Sequence, residues 1–457
     1  MSVDPGALEG LRAAIRGEVV APGDAAYDEA RAVWNGMIDR RPALVARCAE
    51  TADVVAAVNF ARDQGLVVAV RGGAHNVAGN ATCDDGLVID LSPMKRVVVD
   101  GDARTARAGG GLTWGDFDRA TQAAGLATTG GLVSTTGIAG FTLGGGVGWL
   151  MRRHGLACDN MIGAEVVCAD GRVIEASGDP ELLWGLRGGG GNFGVVTEFE
   201  FALHPVSTVL GGLVAWPLER ARDVLRFWRS WTASPPEELC TLAAILYGPP
   251  EPFIPPELHG APIIAIACFH TDPEGSAQAD VAPLRELEPP VDVLSPMPYT
   301  VVQSLFDASA PPGLRSYWRS SYMNEISDEA IDVLLGHAGS LPFPMGAVHI
   351  HQLGGEMARV GETDTAYGNR SASFLTNFLG VWPDPAQDSD NIAWVRAISD
   401  AMAPHGTGAR YVNFLAEEGE AGVRSSYDAD TFARLQKLKA RYDPENFFHL
   451  NQNIPPS

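Results

Sequence analysis

Apolar and polar positions follow two periods along this chain. Between residues 51 and 64, Val54, Val55, Val58 and Ala61 fall at helical spacing, and Gly65 ends the run. Short apolar runs at 66–70, 87–91 and 97–99 read as strands, and residues 103–108 lead into a glycine cluster. Thr113 and Asp116 have the three-residue spacing of a capping box and predict a helix start. Runs at 164–169 and 172–176 flank Asp170-Gly171, which predicts a hairpin with a type I′ turn. Pro180 opens a short helix, glycines 188–191 stop it, and 195–203 is a strand. Strands outnumber helices and do not alternate strictly with them, so no doubly wound parallel sheet is expected.

After His204-Pro205 the texture changes. Prolines cluster at 249–256, 289–298 and 311–312, and glycine clusters become rarer. Strand-like runs at 210–215, 262–268, 347–353 and 373–379 accompany helix-like runs at 218–233 and 328–337, and a last helix is expected at 430–441. A chain of 457 residues exceeds one ordinary core, so the expectation is an α+β protein of two domains.

Charge and cysteine usage narrow the function. The net charge is −23, which argues against a nucleic acid or an anionic membrane as partner. The six cysteines form no C-x-x-C pair and are expected to be reduced and mostly buried. The first ten residues have no signal-peptide pattern, and no apolar run reaches membrane-spanning length. A cytoplasmic protein is the expectation.

No Walker-type phosphate loop and no H-E-x-x-H occur, and no metal site is expected. His349 and His351, two apart on a strand, lack further obvious ligands and read as satisfied or partly exposed histidines. Residues 189–194 match G-x-G-x-x-G, but a helix precedes them and a strand follows. That is the reverse of the dinucleotide fingerprint. Four glycine-rich loops at 71–79, 109–111, 137–148 and 188–194 are better read together, as converging on one extended ligand held by backbone donors. His75 stands in the first of them, beside Arg71, where a neutral imidazole meets little bulk and is a competent nucleophile.

At these residues the chain resembles the berberine bridge enzyme-like family of FAD-linked oxidases, with a PCMH-type (vanillyl-alcohol-oxidase-like) FAD domain. The segments that carry the resemblance run in family order. They are 71–76 (RGGAHN), 136–150 with 155–160, 188–197, Tyr411-Val412-Asn413, 442–448 and 451–455. The resemblance implies an FAD domain of two α/β subdomains over 1–206 (core about 40–206), an antiparallel-sheet substrate domain with helices on one face over 207–404, and a segment 405–457 returning to the FAD domain. It implies FAD linked through the flavin 8α-methyl to His75. Val133 stands where many members carry a second, cysteinyl link, so the link is expected to be single, as in certain bacterial and polyketide-pathway members. Ala74 replaces a usual glycine.

The cofactor residues it implies are Arg71, Gly72, Gly73, Ala74, His75, Asn76, Gly79, Val133, Ser134, Thr136, Gly137, Gly140, Thr142, Gly144, Gly145, Asn192, Gly194, Val195, Val196, Tyr411, Asn413, Asn451 and Asn453. Tyr411 matches the family's frequent base. Tyr317, Trp318, Tyr322, His351, Gln352 and Asn377 are expected to line the substrate pocket. The implied reaction is hydride removal from a small metabolite or natural product to flavin N5, with reoxidation by O2 to hydrogen peroxide. A dehydrogenase of the same fold that avoids oxygen, and a non-catalytic flavin or ligand binder, are the alternatives. Oligomeric state is left open.

Overall fold

The computed structural model describes residues 3–339, 341–342 and 345–457. A first sheet holds β1 (Glu18–Val20), β2 (Leu44–Arg47), β3 (Val68–Arg71) and β4 (Leu87–Asp90) in the order β1-β2-β4-β3. β1 is antiparallel to β2, while β2, β4 and β3 run parallel. Parallel strands need a crossover. Helix α1 (Thr51–Asp63) supplies one and buries Val54, Ala57, Val58 and Ala61. The crossover from β3 to β4 is an irregular glycine-rich loop that carries His75, which is why the strand pattern hides the parallel pairing.

A second sheet is wholly antiparallel. Its strands β5 (Val97–Asp100), β6 (Thr105–Gly109), β7 (Met161–Val167), β8 (Val173–Glu175) and β9 (Val195–Ala202) take the order β5-β6-β9-β7-β8. Helix α2 (Trp114–Gln122) starts on the expected capping box of Thr113 and Asp116. The β7–β8 turn differs from the expected type I′. Only Gly171 has a positive φ (82°), and the Gly171 N–H donates to the Cys168 carbonyl. That is a type I turn closed by a left-handed glycine, the common three-residue alternative. The short helices α3 (Ile138–Leu143) and α4 (Pro180–Leu186) follow glycine-rich and Asp-Pro starts respectively.

The third sheet is the largest. Strands β10 (Thr208–Pro217), β11 (Leu239–Tyr247), β12 (Pro262–His270), β13 (Arg315–Met323), β14 (Ala347–Gln352) and β15 (Phe374–Trp382) pair antiparallel in the order β10-β12-β11-β14-β15-β13. Two short segments, Val291–Asp292 and Ser295–Pro298, pair with β10 at the edge. Helices α5 (Ala221–Trp231), α6 (Asp328–Ala338) and α7 (Asp388–Met402) cover one face, with Trp216, Trp228, Phe378 and Trp382 at the centre of that core. The sequence does not mark β11, β13 or α7. β11 is apolar on both faces, and β13 carries Arg315, Ser316, Arg319, Ser320 and Ser321. Neither shows the alternation of a half-buried strand.

The chain then turns back. Phe432, Leu435, Leu438 and Tyr442 of helix α8 (Ala429–Tyr442) join the core of the second sheet. All six cysteines are buried and unpaired by disulfides. Among the described residues no helix is long and apolar enough to cross a membrane, and no group of three metal-ligating side chains occurs.

Candidate active site

A cavity of about 1490 Å³ lies between the glycine-rich loops and the uncovered face of the large sheet. Three of the four expected loops meet on it: residues 72–76, the stretch 131–147 and 189–194. The fourth, 109–111, packs behind the first. A Cβ on Gly72 or Gly111 would meet backbone of Gly110 or Leu91 respectively. The first and third loops touch backbone to backbone, because a Cβ on Gly73 would collide with Gly137 and one on Gly137 with Gly73. Only glycine permits that approach.

This contact places His75 on the cavity wall. Its Nε2 lies 3.1 Å from Thr135 Oγ1, and its ring stacks on Trp34 at 5.2 Å. Burial lowers its imidazole to about 4, partly opposed by the carboxylate of Asp307, so the ring is neutral at pH 7. Asp307 is itself held by the Ser134 N–H (2.7 Å) and hydroxyl (2.6 Å). Ala74 takes a φ of 58°, a left-handed conformation that a β-methyl opposes, so the departure from glycine carries strain.

Gly72, Gly73, Ala74, His75, Asn76, Val133, Thr136, Gly137, Gly140, Gly144, Asn192, Gly194, Val196, Asn413 and Asn451 line the cavity as expected. Eight expected cofactor residues do not. Arg71 is buried behind the loop, paired with Asp90 at 2.5 Å and bound to the Ala30 and Ala32 carbonyls. Gly79 sits against Ile38, and Gly145 against Tyr367. Ser134 is used on Asp307. Thr142, Val195 and Asn453 also lie outside the wall.

Tyr411 is the eighth. Its buried oxygen accepts from the Gly146 N–H at 2.8 Å and from Asn413 Nδ2 at 2.9 Å, and it sits behind the wall. Burial raises its phenol well above the ordinary value, against the lowering by those donors.

On the large sheet, His351 and Asn377 line the cavity, as do Trp318 and His349. Tyr317, Tyr322 and Gln352 do not, and strand parity explains two of the three. Tyr317 neighbours Trp318 and points into the helix-covered core, and Gln352 neighbours His351 and accepts from Thr241 Oγ1. Tyr322 shares Trp318's parity but is buried against Tyr367, hydroxyl to hydroxyl at 2.7 Å. His349 and His351 are neutral at about 4 and about 3, both lowered mainly by burial.

The sequence gives no signal for Trp34, which lies in an otherwise unremarked stretch, nor for Asp307. Lys439 is the other silent residue. Its fully buried ammonium donates to Asp443 Oδ2 (2.6 Å), the Asn192 carbonyl (2.8 Å) and the Phe448 carbonyl (2.9 Å). Asn192 Oδ1 in turn accepts from Ile454 N–H at 2.9 Å. These bonds pin the returning tail to the 188–194 loop.

The wall fits an extended dinucleotide. A Cβ built on Gly140 or Gly191 meets no protein atom within 4 Å, so both glycines present bare backbone to the cavity. Asn451 Oδ1 is buried without a partner. Comparison with known proteins agrees. Residues 42–177 match the family described as FAD binding domain, and residues 410–455 match berberine and berberine like. The chain is 33% identical to (R)-6-hydroxynicotine oxidase of Paenarthrobacter nicotinovorans, over 97% of each chain.

The chain belongs to the berberine bridge enzyme-like family of FAD-linked oxidoreductases.

It is also 32% identical to an FAD-linked oxidoreductase of Dictyostelium discoideum, over 93% of this chain and 91% of that protein. Among solved structures, 6-hydroxy-D-nicotine oxidase of Arthrobacter nicotinovorans superposes with a TM-score of 0.84 at 28% identity, covering 97% of this chain and 98% of that one. The fold is therefore the PCMH-type FAD-binding architecture of this family, and the loops at 72–76 and 131–147 lie in or beside its FAD domain. As a family member the chain is an oxidoreductase.

Proposed function

We propose that this oxidoreductase holds FAD through a single covalent bond to His75, oxidises a small organic molecule by hydride transfer to the flavin, and returns the electrons to O2 as hydrogen peroxide. The observation that carries the reading is His75, a neutral imidazole on the cavity wall with its loop locked by the Gly73–Gly137 contact. Bound flavin would supply a two-electron acceptor. Thr135 and Trp34 fix the imidazole ring, and Val133 offers no thiol for a second link. Asn413 reaches the wall and is held by the Phe141 carbonyl at 3.0 Å and by Tyr411. This arrangement supports Tyr411 as a positioning residue for Asn413 and the 144–147 turn, in place of the base expected from sequence.

The test is direct. Acid-precipitated protein should keep its yellow colour, and His75→Ala should release all of it to the supernatant. A colourless wild-type pellet would sink the covalent link. Peroxide formed on turnover in air separates an oxidase from a dehydrogenase that avoids oxygen.

A further inference from the structure

The uncovered face of the large sheet is chemically lopsided. Leu213 of β10, Leu242 and Ala244 of β11, and Ile263, Ala265 and Ala267 of β12 make one half of it wholly apolar. The other half carries a small polar group. His351 on β14 is 5% exposed and Asn377 on the neighbouring β15 is 2% exposed. His351 Nε2, Asn377 Oδ1 and Trp318 Nε1 are all buried without a hydrogen-bond partner. These residues stand near the His75 end of the cavity through ring contacts: Trp34 meets both His75 (5.2 Å) and Trp318 (5.6 Å), and Phe414 meets both Trp318 and His351 (each 5.9 Å).

This chamber is almost free of charge. Among the described residues no lysine or arginine lines the cavity, and its single carboxylate is the exposed Glu251. The mouth is apolar: Phe253, Val301, Leu305 and Met345 are 39–47% exposed and all belong to the wall. Among the described residues these four are half of the exposed large hydrophobic side chains, so their gathering at one opening marks an entrance for apolar molecules.

We infer that the substrate is an uncharged, largely apolar ring compound bearing a hydroxyl group, seated with that hydroxyl on His351, Asn377 and Trp318. The inference rests on the oxidoreductase reading above. A hydroxyl both donates and accepts, and so serves a set made of an imidazole nitrogen, an amide oxygen and an indole N–H. A buried polar atom left unpaired is costly, and a hydroxyl recovers that cost where a bare hydrocarbon does not. A sugar would bring many hydroxyls to walls that cannot satisfy them. An anion seated on this polar group, away from the backbone donors of the glycine-rich loops, would find no lysine or arginine on the wall.

Calorimetric titration of the protein as purified, with flavin content measured on the same sample, tests this. The probes are 1-tetralol, its parent hydrocarbon tetralin, cellobiose and 1-naphthoate. 1-Tetralol should bind at least about tenfold more tightly than each of the others. His351→Ala should erase the preference for 1-tetralol over tetralin while tetralin binds as before, and His351→Gln should restore part of it. Melting curves show whether each variant is folded. Tighter binding of cellobiose or 1-naphthoate, or an undiminished alcohol preference in folded His351→Ala, overturns the inference. Protein that never acquires flavin overturns instead the reading beneath it.

Discussion

At the scale of single residues, the strain at Ala74 and the neutrality of the buried histidines are open to measurement. Ala74→Gly removes a β-methyl from a left-handed φ of 58° and should stabilise the protein by about 1 kcal/mol, read from denaturant midpoints. The histidines act together. His154 is lowered to about 3, mainly by burial and then by His204, whose ring stacks on it at 3.8 Å; His349 and His351 are lowered to about 4 and about 3. In the unfolded chain these rings titrate near 6.5, so on acidification the unfolded state takes up protons first. Their contribution is complete above about pH 6.5 and is lost as pH falls from there toward 4. The melting temperature should drop across that window, and the double variant His154→Gln/His351→Gln should drop less steeply between pH 6.5 and 5. An unchanged slope would mean that the wild-type rings take up protons alike in the folded and unfolded states.

At the scale of elements, much of the FAD half is legible because its signals are local. The helical spacing after Thr51, the Thr113–Asp116 capping box and the Asp179-Pro180 start each satisfy backbone groups within a few residues, and each element forms where expected. The glycine-rich loops are legible for the same reason. The half that holds the large sheet is harder because a one-residue shift of parity turns a strand side chain to the opposite face. Tyr317 and Trp318 look equally suited to a pocket, as do His351 and Gln352, and only the register of β13 and β14 separates them. Tyr411 is a different case: it stands beside the site, and its oxygen is engaged by backbone that the sequence does not place next to it. Two substitutions address elements. Gly137→Ala drives a methyl into Gly73 and should lower flavin content, measured as the visible-to-ultraviolet absorbance ratio of folded protein, far more than Gly336→Ala in α6, whose added Cβ meets nothing. Lys439→Met leaves the buried carboxylate of Asp443 without its counter-charge, held only by the Phe447 and Phe448 N–H groups, and should cost about 3 kcal/mol in denaturant unfolding.

At the scale of the whole molecule, the cavity is built from parts far apart in the chain. One wall comes from loops within residues 72–194, the other from strands between 208 and 382, and Asn413, Phe414 and Asn451 close it. A chain cut after residue 409 should therefore lose flavin retention as well as stability, seen as a colourless preparation with a lowered melting temperature. The bonds from Lys439 and Ile454 back to Asn192 give this arrangement a meaning in time. A ribosome delivers the 188–194 loop some 250 residues before its anchors. Flavin capture is therefore expected to wait until the tail has docked, so that coloured protein should be protein whose chain runs through Lys439 and Ile454.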